Sequence, residues 1–174
     1  MNAALKATPG IYVVGFMASG KTTIGQLVAK RLGWTFVDLD DDIERAQGLK
    51  IAEIFDRSGE AEFRRAETEA LRERVRAVKG GIPLVVALGG GAFVQPANAE
   101  LLAAHGVTVW LDCPFEIVQR RVAQATHRPL ARDPAKFAQL YQGRQQAYSR
   151  ADHRVEIAGD DPEPAVRAIL ELLT

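Results

Sequence analysis

Gly15-Phe16-Met17-Ala18-Ser19-Gly20-Lys21-Thr22 stands between a short apolar run, Ile11-Tyr12-Val13-Val14, and a segment where Ile24, Leu27, Val28 and Leu32 recur at helical spacing. These eight residues fit G-x-x-x-x-G-K-[ST] in the strand-to-helix context that gives the pattern its meaning. In such a loop, successive backbone N–H groups converge on phosphate oxygens, and the helix N-terminus adds partial positive charge. Gly15 and Gly20 let the backbone turn and approach closely. Lys21 is placed to neutralise β- and γ-phosphates, and the Thr22 hydroxyl to ligate Mg²⁺. The alternative is a glycine-rich turn before a structural helix, and the flanking strand and helix weigh against it. The chain is therefore expected to bind a nucleoside triphosphate, with Gly15, Ala18, Ser19, Gly20, Lys21, Thr22 and Thr23 around its phosphates.

Outward from the loop, strand-like and helix-like segments alternate. Trp34 to Val37 reads as a second strand, ending in the acidic cluster Asp38-Leu39-Asp40-Asp41-Asp42. Short helices are expected over Asp41 to Ala46 and Ile51 to Phe55, and a longer one from about Glu60 to Val78. Leu84 to Leu88 and Val107 to Leu111 read as further strands. A helix carrying Phe115, Val118 and Val122 follows, then one from about Pro134 to Arg150. Arg154 to Ile157 forms a short last strand, and Asp161-Pro162 opens the final helix. Strands separated by helices mean βαβ units and a parallel sheet covered on both faces. We expect a three-layer α/β fold with five parallel strands, built as one domain over residues 1–174. Gln124 to Pro134 is the least regular piece. Its two prolines and two arginines suit a lid over a phosphate site or an ordinary connecting loop.

Composition narrows the function classes. The chain has 174 residues, 47% of them hydrophobic, enough for one full core. Lys plus Arg equals Asp plus Glu at 22 each, so no global field suggests nucleic acid or an anionic membrane surface. The single Cys113 excludes an internal disulfide and suits a reducing compartment. The first residues lack a long apolar segment, and Ile82 to Leu88 is too short to span a bilayer. A cytoplasmic monomer is expected, with no sustained heptad to suggest a coiled-coil partner.

Ligands of open parallel sheets gather at the carboxyl ends of the strands. That rule puts the phosphate loop, the acidic cluster and Gly89-Gly90-Gly91 in one crevice. On an extended segment, Asp38 and Asp40 would point the same way. One of them is suited to hold a Mg²⁺-bound water while the other accepts a proton. Helix N-capping by Asp40 to Asp42 is the competing use, and the roles can coexist across the cluster. The triple glycine removes three side chains in succession, which suits either close approach of a substrate with several hydroxyls or a tight turn.

Together these residues resemble the shikimate kinase family, small P-loop enzymes of the nucleoside-monophosphate-kinase fold. The resemblance runs along nearly the whole chain. It rests on the phosphate loop, Phe36-Val37-Asp38-Leu39-Asp40, Gly59-Glu60-Ala61-Glu62-Phe63-Arg64, Gly89-Gly90-Gly91 and Arg128-Pro129-Leu130. It implies transfer of phosphate from ATP to the 3-hydroxyl of shikimate in aromatic amino-acid synthesis. By this resemblance Thr22 and Asp38 lie at the Mg²⁺ ion, and Asp40 binds shikimate hydroxyls and serves as base. Arg64 and Arg144 take the carboxylate, and Gly89, Gly90 and Gly91, chiefly Gly90, contact the ring. Arg128, in a lid at about residues 123–134, reaches the transferring phosphoryl group alongside Lys21. Arg121 and Pro162 flank adenine. Two departures stand out: Ala18 replaces a usual Gly, and Gln145-Gln146-Ala147-Tyr148 departs from a usual Pro-Leu-Tyr ending.

Two rival functions remain on the sequence: a kinase for another small acceptor such as gluconate, and a nucleotide-dependent switch with no small-molecule pocket.

Overall fold

A computed structural model describes residues 9–125 and 133–173. The phosphate-loop strand, β1 (Gly10–Val14), is buried along its whole length, as a central strand covered on both faces must be. Its loop leads into α1 (Lys21–Leu32), which buries Ile24, Val28 and Ala29 and ends with Lys30 and Arg31 in the last turn, where the helix dipole favours cations. β2 (Thr35–Asp38), β3 (Leu84–Ala87), β4 (Val107–Asp112) and β5 (His153–Glu156) complete the sheet. The five-stranded order is β2-β3-β1-β4-β5, and every pair is parallel. The three-layer α/β expectation is met.

Between β2 and β3 lie α2 (Leu39–Gln47) and the long α3 (Ile51–Lys79). The two helices expected over Ile51–Phe55 and Glu60–Val78 run on from each other. Gly59, at φ 82° and ψ 174°, breaks the helical path between them, a conformation open to glycine because it has no Cβ. Arg74 of α3 grips Asp42 of α2 with two hydrogen bonds, at 2.5 and 2.7 Å, and so fixes the pair of helices to each other.

The segment after β3 held structure that the sequence reading missed. A 3₁₀ turn (Ala92–Val94) runs into α4 (Pro96–Ala103), with Pro96 at the first helical positions. The buried Asn98 joins them, its amide donating to the Ala92 carbonyl at 3.0 Å and its oxygen accepting from Thr68 of α3 at 3.0 Å. Then come α5 (Phe115–Gln124), α6 (Pro134–Tyr148) and α7 (Glu163–Glu171). Among the described residues no helix is long and apolar enough to cross a membrane.

The base of the sheet is closed by one aromatic side chain packed against close backbone. The Tyr12 ring is fully buried and its hydroxyl donates to the His105 carbonyl at 3.0 Å. Gly106 follows, so tightly packed that a Cβ there would lie 2.5 Å from the Gly10 carbonyl oxygen and 2.6 Å from the Tyr12 ring. Gly106→Ala must therefore separate β1 from the start of β4, at a cost of about 3 kcal/mol. Thermal unfolding followed by circular dichroism should show a midpoint lowered by roughly 6–12 °C.

Candidate active site

The strand order decides what meets at the carboxyl edge. β2, β3 and β1 are neighbours in that order. Their ends carry, side by side, the acidic cluster, the triple glycine and the phosphate loop. β4 and β5 lie on the other side of β1 and carry the segments that flank a second, wider cleft.

In the phosphate loop, Gly20 and Ala18 take left-handed conformations, φ 101° and 61°, and Ala18 is the only such non-glycine among the described residues. Lys21 Nζ donates to the Gly15 and Phe16 carbonyls, 2.9 Å each, so the cation is folded onto its own loop. The Ser19 hydroxyl is buried in the loop without a hydrogen-bond partner. Thr22 donates its hydroxyl to Asp38 Oδ2 at 3.0 Å, while Asp38 Oδ1 accepts the Asp40 N–H at 3.0 Å.

Asp38 is thus the N-cap of α2, and Asp40 sits in that helix's first turn, among Asp40, Asp41 and Asp42. This corrects the extended geometry expected for the pair: Asp38 and Asp40 converge through a cap, not through strand alternation. The two Asp38 oxygens divide their work, Oδ1 capping the helix and Oδ2 taking the Thr22 hydroxyl. Burial raises the Asp40 carboxyl above its ordinary range and the Asp38 charge adds to this, while Lys21 opposes it.

Each glycine of the triple is small because a functional side chain fills the space its own would need. A Cβ on Gly89 would lie 2.8 Å from Asp40 Oδ1 and 3.4 Å from Glu67 Oε2. On Gly90 it would meet Arg144 Nη1 at 2.8 Å, and on Gly91 both Arg64 terminal nitrogens at 2.5 Å. Asp40, Arg64 and Arg144 therefore surround the glycines, next to a cleft of about 320 Å³ whose walls include Lys21, Thr22, Asp38, Asp40, Gly89 and Gly90. Arg64 Nη1 donates to Glu67 Oε1 at 2.9 Å. Its Nε–H is buried without a hydrogen bond, Glu60 Oε1 standing 3.7 Å away. A buried N–H with no hydrogen-bond acceptor is costly.

Glu67 was missed in the sequence. It is almost completely buried, and burial raises its carboxyl while Arg64 opposes that shift. The signal was present: Glu67 falls three residues after Arg64 on the same helix face. It was lost among the many Arg–Glu pairs of α3, such as Arg65–Glu62 and Arg72–Glu69, which are exposed.

On the other side of the loop a cleft of about 620 Å³ runs past Ala18, Gly20, Thr23, Arg121, Asp160 and Pro162. Arg121 donates to the Ala18 carbonyl at 2.8 Å and the Gly159 carbonyl at 3.1 Å, and pairs with Asp160 at 3.2 Å. Arg121 and Pro162 thus line one cleft, and Ala18, Gly20 and Thr23 border both clefts. Arg128, and the centre of the expected lid, lie outside the described residues.

Comparison with known proteins agrees with this geometry. The sequence model of the family described as shikimate kinase matches residues 17–174. A shikimate kinase of Synechococcus elongatus is 43% identical over 94% of this chain and 85% of its own length. One from Persephonella marina is 38% identical, over 92% of this chain and 96% of its own. The structure of the Acinetobacter baumannii shikimate kinase in complex with shikimate superposes with a TM-score of 0.86 at 36% identity, covering 98% of this chain and 95% of that one. With a phosphate loop, an acidic cap and a glycine triple ringed by two arginines already in place, the chain belongs to the shikimate kinase family.

Proposed function

We infer that the chain transfers the terminal phosphoryl group of ATP to the 3-hydroxyl of shikimate, giving ADP and shikimate 3-phosphate for aromatic amino-acid synthesis. The observation that carries this reading is a convergence. Arg64 and Arg144 pack against the glycine triple, whose Gly89 and Gly90 line a crevice with Asp40 and Lys21. A ring alcohol with one carboxylate needs a cation fork at one end and an acceptor for its hydroxyls at the other. Among the described residues two buried side-chain polar atoms lack partners, one at each half of the site: Ser19 Oγ in the phosphate loop and Arg64 Nε at the carboxylate end. Both are groups that the two substrates would satisfy.

In this reading Asp40 takes the proton of the attacking hydroxyl as its oxygen bonds to the γ-phosphorus and the bond to the β–γ bridging oxygen breaks. Lys21 leaves the Gly15 and Phe16 carbonyls for the β- and γ-phosphates. Thr22 and Asp38 offer one hydroxyl and one carboxylate, the sparse oxygen set that suits a Mg²⁺ ion completed by phosphates and water. Mg²⁺ there supplies charge neutralisation across the phosphates. The 620 Å³ cleft past Arg121 and Pro162 takes the adenine side of the nucleotide. Arg128, assigned through Arg128-Pro129-Leu130, reaches the moving phosphoryl group from a lid at about residues 123–134 of the one kinase domain. The balanced charge and the absence of a sustained heptad support a cytoplasmic monomer.

A nucleotide switch does not call for a buried arginine N–H beside a second arginine. Gluconate also carries a carboxylate, so the family match favours shikimate over it where the arginines alone do not. Purified protein with Mg²⁺ and ATP should release ADP in proportion to added shikimate and leave gluconate untouched. Phosphorylated gluconate with shikimate unchanged, or ADP release independent of any acceptor, would overturn the assignment. Asp40→Asn should lower kcat by roughly 10²–10⁴-fold, with KM for ATP within about twofold of the parent. The raised Asp40 carboxyl also fixes the sign of the pH dependence. The base must be ionised, so kcat/KM falls as pH drops through its pKa, at a midpoint above the ordinary aspartate value of about 4. A pH–rate profile checks this; an acid limb at or below that value would contradict the role.

A further inference from the structure

Tyr148 ends α6 four residues after Arg144, so both side chains lie on one helix face. Its ring is fully buried, 6.0 Å from the Trp110 ring. Its hydroxyl donates to the Gly90 carbonyl at 2.6 Å, and it stands with Arg144 Nη1 around Gly90, 3.7 and 2.8 Å from where a side chain there would begin. The Arg144 guanidinium in turn stands 5.7 Å from the centre of the Phe16 ring, inside the phosphate loop.

We propose that Tyr148 is a positioning residue for acceptor recognition, its hydroxyl setting the Gly90–Gly91 peptide plane against which shikimate lies. The proposal rests on the acceptor reading given above. Three consecutive glycines have no side chains to pack, so their backbone must be held from outside. The other carbonyls of the segment are tied locally. Gly89 accepts from Ala92 N at 3.1 Å, Gly91 from Val94 N at 3.2 Å, and Ala92 from Asn98 at 3.0 Å. Gly90 is held from across the site, by a residue 58 positions away in sequence. Because a trans peptide points its C=O and N–H in opposite directions, fixing the Gly90 carbonyl on Tyr148 aims the Gly91 N–H away from Tyr148. Burial pushes the Tyr148 phenol up to about 12, which keeps its proton in place at neutral pH.

Tyr148→Phe keeps the ring and its packing and removes the hydroxyl alone. In steady-state assays on the full chain, KM for shikimate should rise roughly three- to tenfold, the value of one neutral hydrogen bond. KM for ATP should stay within about twofold of the parent. Introduced into Arg144→Ala, the same change should raise KM for shikimate by a similar factor, because the peptide is held independently of the cation. An unchanged KM for shikimate, a parallel rise in both KM values, no further rise in Arg144→Ala, or loss of a cooperative thermal transition would each overturn the positioning role. All of these leave the acceptor assignment standing. That assignment falls instead if the parent protein itself does not phosphorylate shikimate.

Discussion

The parallel register between β1 and β3 is the constraint on which the site depends. Tyr12 lies beside Val86 and Val13 beside Ala87, and the Leu88 N–H continues the ladder onto the Val13 carbonyl at 3.0 Å. Two strands leaving the sheet together at that point bring the phosphate loop and the glycine triple out as neighbours. β2 pairs with β3 in step, Asp38 beside Ala87, so the acidic cap emerges on the far side of the glycines. Phosphate loop, glycine triple and acidic cap are thereby laid out in a row along one edge. A slip of one residue in the β1–β3 pairing would turn every side chain of the strand to its other face and pull the row apart.

Charge in this row is balanced across short distances, and the balance explains the odd states of several groups. Asp38, Asp40 and Glu67 crowd together with Lys21, Arg64 and Arg144. Burial works against the ionised carboxyls of Asp40 and Glu67, Asp38 raises Asp40 further, and Asp40 raises Glu67. Lys21 opposes this at Asp40, and Arg64 opposes it at Glu67. The cations are occupied by what lies at hand: Lys21 by loop carbonyls, Arg64 by Glu67.

How far the sequence could be read follows from how local each feature is. The phosphate loop, the strands around it and the glycine triple were legible because each is a contiguous pattern with one physical meaning. α4 was not, since Pro96 to Ala103 is only eight residues long and carries no marked apolar stripe; only Pro96 at its start betrays it. Asp40 was placed on the right edge for an incomplete reason, because a helix cap and a strand end look alike in sequence when acids follow apolar residues. Glu67 and Tyr148 needed the third dimension. Glu67 differs from the exposed glutamates of α3 only in being covered, and Tyr148 reaches Gly90 across 58 residues of chain.

Ala18 shows how a local breach of rule is held by the surroundings. A left-handed alanine costs about 1–2 kcal/mol against its right-handed alternative. Glycine at the same place would be free of that strain but would lose about 0.5–1 kcal/mol more in chain entropy on folding. The two nearly cancel, so alanine is tolerated where the loop demands φ 61°. What remains is offset by Arg121, whose Nη1 holds the Ala18 carbonyl at 2.8 Å. The same guanidinium is pinned by Gly159 and Asp160 in the segment between β5 and α7. The strained peptide of the phosphate loop is thus tied through one side chain to the segment between β5 and α7, and both border the 620 Å³ cleft.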